Sequence, residues 1–69
     1  MPNYIINKNA DENNMNEVHR TTCAHLPYPV NQVPLGFFNT NKEALAYAKR
    51  MGWNNADGCK HCCPDIHHG

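Results

Sequence analysis

No stretch of this chain stays apolar over the roughly 20 residues that a membrane-crossing helix needs. The opening segment, Met1 to Ala10, has Lys8 as its only charged side chain and no apolar run of signal-peptide length. Neither sign of charge is in excess, because six Lys plus Arg stand against six Asp plus Glu. A phosphate backbone selects basic surfaces, so nucleic acid is not an expected partner, and a membrane is not one either. Internal repeats and low-complexity tracts are missing too. With 69 residues, one domain spanning 1–69 is expected. A chain that short buries a smaller share of its surface than an average domain does, and it commonly recruits disulfides, a metal or a partner subunit as a staple.

Against these absences stand four cysteines and five histidines. Without an export signal the expected compartment is the cytoplasm, where clustered thiols hold metal or do redox chemistry more often than they form structural disulfides. The tail concentrates the donors, running Asp57-Gly58-Cys59-Lys60-His61-Cys62-Cys63-Pro64-Asp65-Ile66-His67-His68-Gly69. Cys59 and Cys62, two residues apart, can grip one ion from a tight turn that Gly58 helps to form. That is half of a tetrahedral zinc site. Cys23 is the only thiol outside the tail, which makes it the expected third ligand, and His67, five residues past Cys62, is the expected fourth. Cys63, His68, His61 and His25 compete for that fourth position, although adjacent side chains diverge, so Cys62 and Cys63 do not comfortably bind one ion. His19 reads as a partly buried polar strand residue rather than a ligand.

Other chemistries use the same residues. Four thiols can form two disulfides without metal, in any of three pairings. Cys59-Lys60-His61-Cys62 is similar to the active-site tetrapeptide of disulfide oxidoreductases, but Pro64 and the chain end leave no room for the helix that stabilises the first thiolate in that fold. The usual iron–sulfur spacings are absent. A hydrolytic metal site would need a general base, for which Asp57, Asp65 and Glu17 are conceivable, but no pattern places them. The expectation is therefore a binding module rather than an enzyme.

Local patterns predict an α+β fold. Tyr4 to Asn7 and Glu17 to Thr22 are β-prone and are separated by the turn-forming run Asn9 to Asn14, which suggests an antiparallel hairpin with a loose tip and Ile6 paired with Val18. Pro27, Pro29 and Pro34 should keep Leu26 to Pro34 out of any regular ladder. Leu35 to Phe38 reads as a third strand with its two aromatics on opposite faces, at least one of them reaching the core. Thr40 and Glu43 form a capping-box pattern, Ala44, Leu45, Tyr47, Ala48 and Met51 recur at helical spacing, and Gly52 suits a left-handed cap, so a helix is expected from Asn41 to Met51. Asn54 to Gly58 reads as a turn-rich lead into the cysteines, and Tyr28 is the aromatic expected to be exposed.

In Tyr4-Ile5-Ile6-Asn7, Glu17-Val18-His19, Cys23, Leu35-Gly36-Phe37-Phe38, Asp57-Gly58-Cys59, Cys62, Cys63 and His67, the chain resembles a group of short, functionally uncharacterised bacterial proteins with the same order of motifs. Members of that group often carry a further cysteine where this chain has Ile66. The resemblance spans most of the chain and implies no activity. The combined expectation is a small domain stapled by zinc through Cys23, Cys59, Cys62 and His67, serving as an interaction or adaptor module for a protein partner, with a thiol redox protein or a metal-free disulfide domain as the alternatives.

Overall fold

Alternation along the first strand sends Tyr4 and Ile6 to one side and Ile5 to the other, and the rest of the fold is arranged about that division. The computed structural model describes residues 1–69. Strands β1 (Asn3–Asn7) and β2 (Asn16–Arg20) form the expected antiparallel hairpin, with Tyr4 opposite Arg20, Ile5 opposite His19 and Ile6 opposite Val18. Its tip is tied rather than loose. The Asp11 carboxylate accepts the amides of Asn13 and Met15 at 2.9 Å each, and Asn14 takes a left-handed φ of 64°, a conformation that asparagine tolerates.

The third strand starts three residues earlier than expected. β3 spans Gln32–Phe37 and pairs antiparallel with β1, with Pro34 opposite Ile5. The expected exclusion of proline from a ladder fails because β3 is an edge strand, where a residue without an N–H costs little. The register shifts between Tyr4 and Ile5, and Gly36 takes φ 111° close to that irregularity. Of the two aromatics, Phe37 is exposed, whereas Phe38 packs against the core at 6.1 Å from Tyr4 and 5.2 Å from Tyr47, centroid to centroid.

Helix α1 covers Asn41–Arg50, capped by Thr40, whose hydroxyl oxygen accepts the Glu43 amide at 3.1 Å. It ends in a Schellman arrangement: the Trp53 amide donates to Ala48 O and the Gly52 amide to Lys49 O, with Gly52 at φ 102°. Met51 is the cap residue and is 61% exposed, so it does not join the apolar face as its spacing suggested. Ala44 and Ala48 do, packing with Tyr4, Ile6, Val18 and Leu35.

A fourth strand corrects the reading of residues 54–58 as a plain turn. β4 (Ala56–Gly58) runs parallel to β2, pairing Asn16 with Ala56 and Val18 with Gly58, which gives a mixed sheet of order β3-β1-β2-β4. Ala-Asp-Gly has no β-branched residue and three positions show no period, so nothing local announces a strand. Small size is what the place demands. A Cβ on Gly58 would overlap Ile66 and lie 2.7 Å from the Cys63 carbonyl oxygen, where a single-turn 3-10 segment, Pro64–Ile66, closes over the strand.

A polar chain joins these layers. Tyr4 donates its hydroxyl to Asn41 Oδ1 at 2.6 Å, Arg20 Nε donates to the same oxygen at 3.2 Å, and Asn41 Nδ2 donates to Asp65 Oδ1 at 2.7 Å. Sheet, helix and tail are thereby in register. Gly58→Ala should destabilise the protein by about 1–3 kcal/mol, the usual cost of overpacking, while Gly52→Ala, where no atom lies within 4 Å of the added carbon, should cost about 1 kcal/mol through its positive φ alone. Urea unfolding midpoints of the two variants check the order, and equal losses would contradict it.

Candidate metal centre

The parallel pairing of β4 with β2 decides which side chains meet. The Cys59 amide donates to Val18 O at 3.0 Å, which extends the ladder one residue past β4 and brings Cys59 alongside the end of β2 that carries His19. After β2 the chain turns at once, the Cys23 amide donating to Arg20 O, so Cys23 is carried back toward His19. The residues after Cys59 also turn tightly, with the Cys63 amide donating to Cys59 O at 2.8 Å, and the Cys62 sulfur comes within reach of the other donors. The result is a group of four donors, His19, Cys23, Cys59 and Cys62, whose ligand atoms all lie within 4.8 Å of one another. All four cysteines are free thiols, and Cys23 and Cys59 approach to 3.9 Å between sulfurs.

Backbone donors converge on the sulfurs. The His25 amide donates to Cys23 Sγ at 3.3 Å and the His61 amide to Cys59 Sγ at 3.4 Å, the same two-residue step in both turns. The Arg20 amide donates to Cys62 Sγ at 3.4 Å. Three sulfurs thus each accept one N–H, an arrangement that favours negative charge on them.

His19 is 1% exposed and divides its ring nitrogens between two tasks. Nε2 lies 3.3 Å from Glu17 Oε1, which shares its face of β2 two residues back. Nδ1 is buried without any hydrogen-bond partner. Buried polar atoms are rarely left so, and a bond to a cation held by the three sulfurs would satisfy this one. The donor set therefore fits a metal ion: Nε2–H toward the carboxylate fixes the tautomer and leaves the Nδ1 lone pair available. Burial, and then the nearby His25, hold the imidazole below its ordinary pKa, so it is neutral at pH 7 as a ligand must be. Burial also pushes the Cys23 and Cys62 thiols up, Cys62 to about 11, so neutral surroundings alone would leave these two protonated and a cation's charge is what would release their protons.

His67, expected as the fourth ligand, lies outside this group. Its Nδ1 is 2.9 Å from Gly58 O and 3.3 Å from Asp57 Oδ2, which places it as a tether of the tail on β4. Asp57 completes that tether by accepting the amides of His68 at 2.8 Å and Gly69 at 3.0 Å. Cys63, the first alternative ligand, is fully buried in the apolar core, its sulfur 3.6 Å from that of Cys62. His25 and His61 are exposed and stack at 3.8 Å. Among the imagined bases, Asp57 and Asp65 are committed to the tail and to Asn41, and only Glu17 stands beside the centre.

His19 is the member of this donor group that its strand position concealed. The spacing held a signal for it: His19 and Cys23 are separated by three residues and Cys59 and Cys62 by two, a pair of short-spaced ligand couples. On its outer side Glu17 borders a polar cavity of about 440 Å³ lined also by Asp11, Glu12, Lys60 and His67, with no hydrophobic residue. Burial and then Asp11 raise the Glu17 carboxyl above its ordinary value.

No helix is long and apolar enough to cross a membrane. No family model matches the chain, and neither a curated protein nor a solved structure matches it.

The depressed His19 pKa gives a signed pH dependence. The unfolded chain binds this proton near pH 6.5 and the folded chain binds it less readily, so the contribution is fully present above that value and declines as pH falls below it. The urea midpoint should drop between pH 7.5 and pH 5.5, and a flat midpoint over that range would contradict the placement of His19.

Proposed function

We propose that the chain is a small zinc-stabilised domain in which His19, Cys23, Cys59 and Cys62 bind the ion and Glu17 orients His19. The observation that carries this reading is the grouping of the buried His19 imidazole, whose Nδ1 has no hydrogen-bond partner, with three cysteine sulfurs. Three soft thiolates and one imidazole in a compact group suit zinc, which favours four-coordinate Cys and His sites that are closed to substrate. Bound zinc would then act as a fold staple. Apparent binding free energies of about 10–16 kcal/mol for such sites match or exceed the roughly 5–15 kcal/mol by which a whole domain is usually stable.

The biological role we infer is an interaction or adaptor module acting in the cytoplasm, where the thiols would stay reduced. Its support is the proline-rich loop, in which Tyr28 is 80% and Val30 76% exposed on a scaffold that the centre would hold rigid. We also propose kinship with the short bacterial proteins that share its motifs, because Glu17, His19, Cys23, Cys59 and Cys62 of the shared segments meet at one place.

Native mass spectrometry of protein purified under reducing conditions should find one zinc per chain, and a strong chelator should collapse the amide dispersion of its NMR spectrum. His19→Ala should lose the ion, Glu17→Gln should weaken binding by about 10–100-fold, and His67→Ala should keep one equivalent. Metal-free protein with an unchanged spectrum would reject the reading, and loss of zinc from His67→Ala with retention by His19→Ala would reassign the ligands.

A further inference from the structure

We propose that the same centre is a redox-releasable clasp, in which a peroxide converts Cys23 and Cys59 into a disulfide and sets the cation free. The inference rests on the metal-binding reading above and adds to it a means of control. The Cys23 and Cys59 sulfurs stand 3.9 Å apart, so closing to the disulfide length of about 2.0 Å requires an approach of about 2 Å. Cys23 can supply that movement. It sits in a turn whose neighbours Thr21, Thr22, Ala24 and His25 are all exposed, whereas Cys59 is anchored by its amide to Val18 at the sheet edge.

Accessibility separates the roles of the two thiols. Cys23 is partly exposed as a residue and lies in a turn of exposed neighbours, which assigns it the attack on the oxidant, while Cys59, 1% exposed, acts as the resolving thiol. Cys62 also lies within 4.8 Å of both sulfurs, but its nearest thiol is Cys63 at 3.6 Å, and that pair is a poorer candidate. Neighbours in sequence have Cα atoms only about 3.8 Å apart across a trans peptide, below the range of about 4.4–6.8 Å that disulfides adopt, and Cys63 is part of the apolar core.

The chemistry balances with peroxide as the named oxidant. The Cys23 thiolate attacks one peroxide oxygen, the O–O bond breaks, and a sulfenic acid forms as hydroxide departs and takes a proton to become water. The Cys59 thiolate then attacks the sulfenic sulfur, the S–S bond forms, and a second hydroxide leaves and is protonated. Two sulfurs lose one electron each, and the peroxide is reduced to two waters. Only His19 and Cys62 of the original donors remain, too few to hold the ion against water.

The test begins with zinc-loaded protein prepared without oxygen. Absence of bound zinc at this stage would sink the metal-binding reading itself. With zinc bound, hydrogen peroxide is added in steps while a chromogenic chelator reports free zinc, and the products are alkylated and peptide-mapped. One zinc should appear for each loss of two mass units, the cross-link should join Cys23 to Cys59, Cys62 and Cys63 should be alkylated after denaturation, and a dithiol reductant with added zinc should restore the starting form. Cys63→Ala should release zinc at a rate within about twofold of the parent chain. Zinc retained after oxidation, or a cross-link that joins any pair other than Cys23 and Cys59, would overturn the proposal while leaving the metal-binding reading standing.

Discussion

The parallel contact between β2 and β4 is the constraint on which this molecule depends, because it is the step that brings the middle of the chain to its tail. Three paired positions, from Asn16 with Ala56 to Val18 with Gly58, set the register. One residue further along each strand are His19 and Cys59, and the turns that follow return Cys23 and Cys62 to the same place. A parallel pair only three residues long has little stability of its own. A cation bound by donors from both strands would hold it, and the pairing in turn presents the donors at ligand distance.

The two sides of the sheet divide the labour. Tyr4, Ile6 and Val18 meet the alanine face of α1 in a small apolar core that includes Cys63 and Ile66 from the tail. Ile5, Glu17 and His19 alternate to the opposite side, where the donor group assembles. Cys62 and Cys63 are the point of contact between the halves, neighbours in sequence of which one sulfur joins the donors and the other the core. The tail is held twice more, by Asp57 through the amides of His68 and Gly69 and by Asp65 through Asn41.

Much of this was legible in the residues. The Thr40 cap, the Gly52 terminus and the pairing of Ile6 with Val18 rest on local chemistry, and local chemistry decided them. So did the gathering of Cys23, Cys59 and Cys62, which follows from spacing and the scarcity of other thiols. What escaped depended on tertiary position. Pro34 is compatible with a strand only because β3 lies at the sheet edge, and β4 is a strand only because β2 offers it a partner. His19 stands in the donor group and His67 outside it for the same reason. Distance from the Cys59 and Cys62 turn favoured His67 along the chain, but β4 holds His67 against Gly58, while alternation on β2 turns His19 with Glu17 toward the sulfurs.

The central claim is that the imidazole of β2 and three sulfurs from the turns that follow β2 and β4 bind one ion. Metal-edge X-ray absorption on the purified protein reads that donor set directly. The account predicts three sulfur scatterers at about 2.3 Å and one nitrogen at about 2.0–2.1 Å, with the nitrogen contribution lost in His19→Ala. A shell of four sulfurs, which would bring Cys63 out of the core, or a shell of light atoms without sulfur would contradict it.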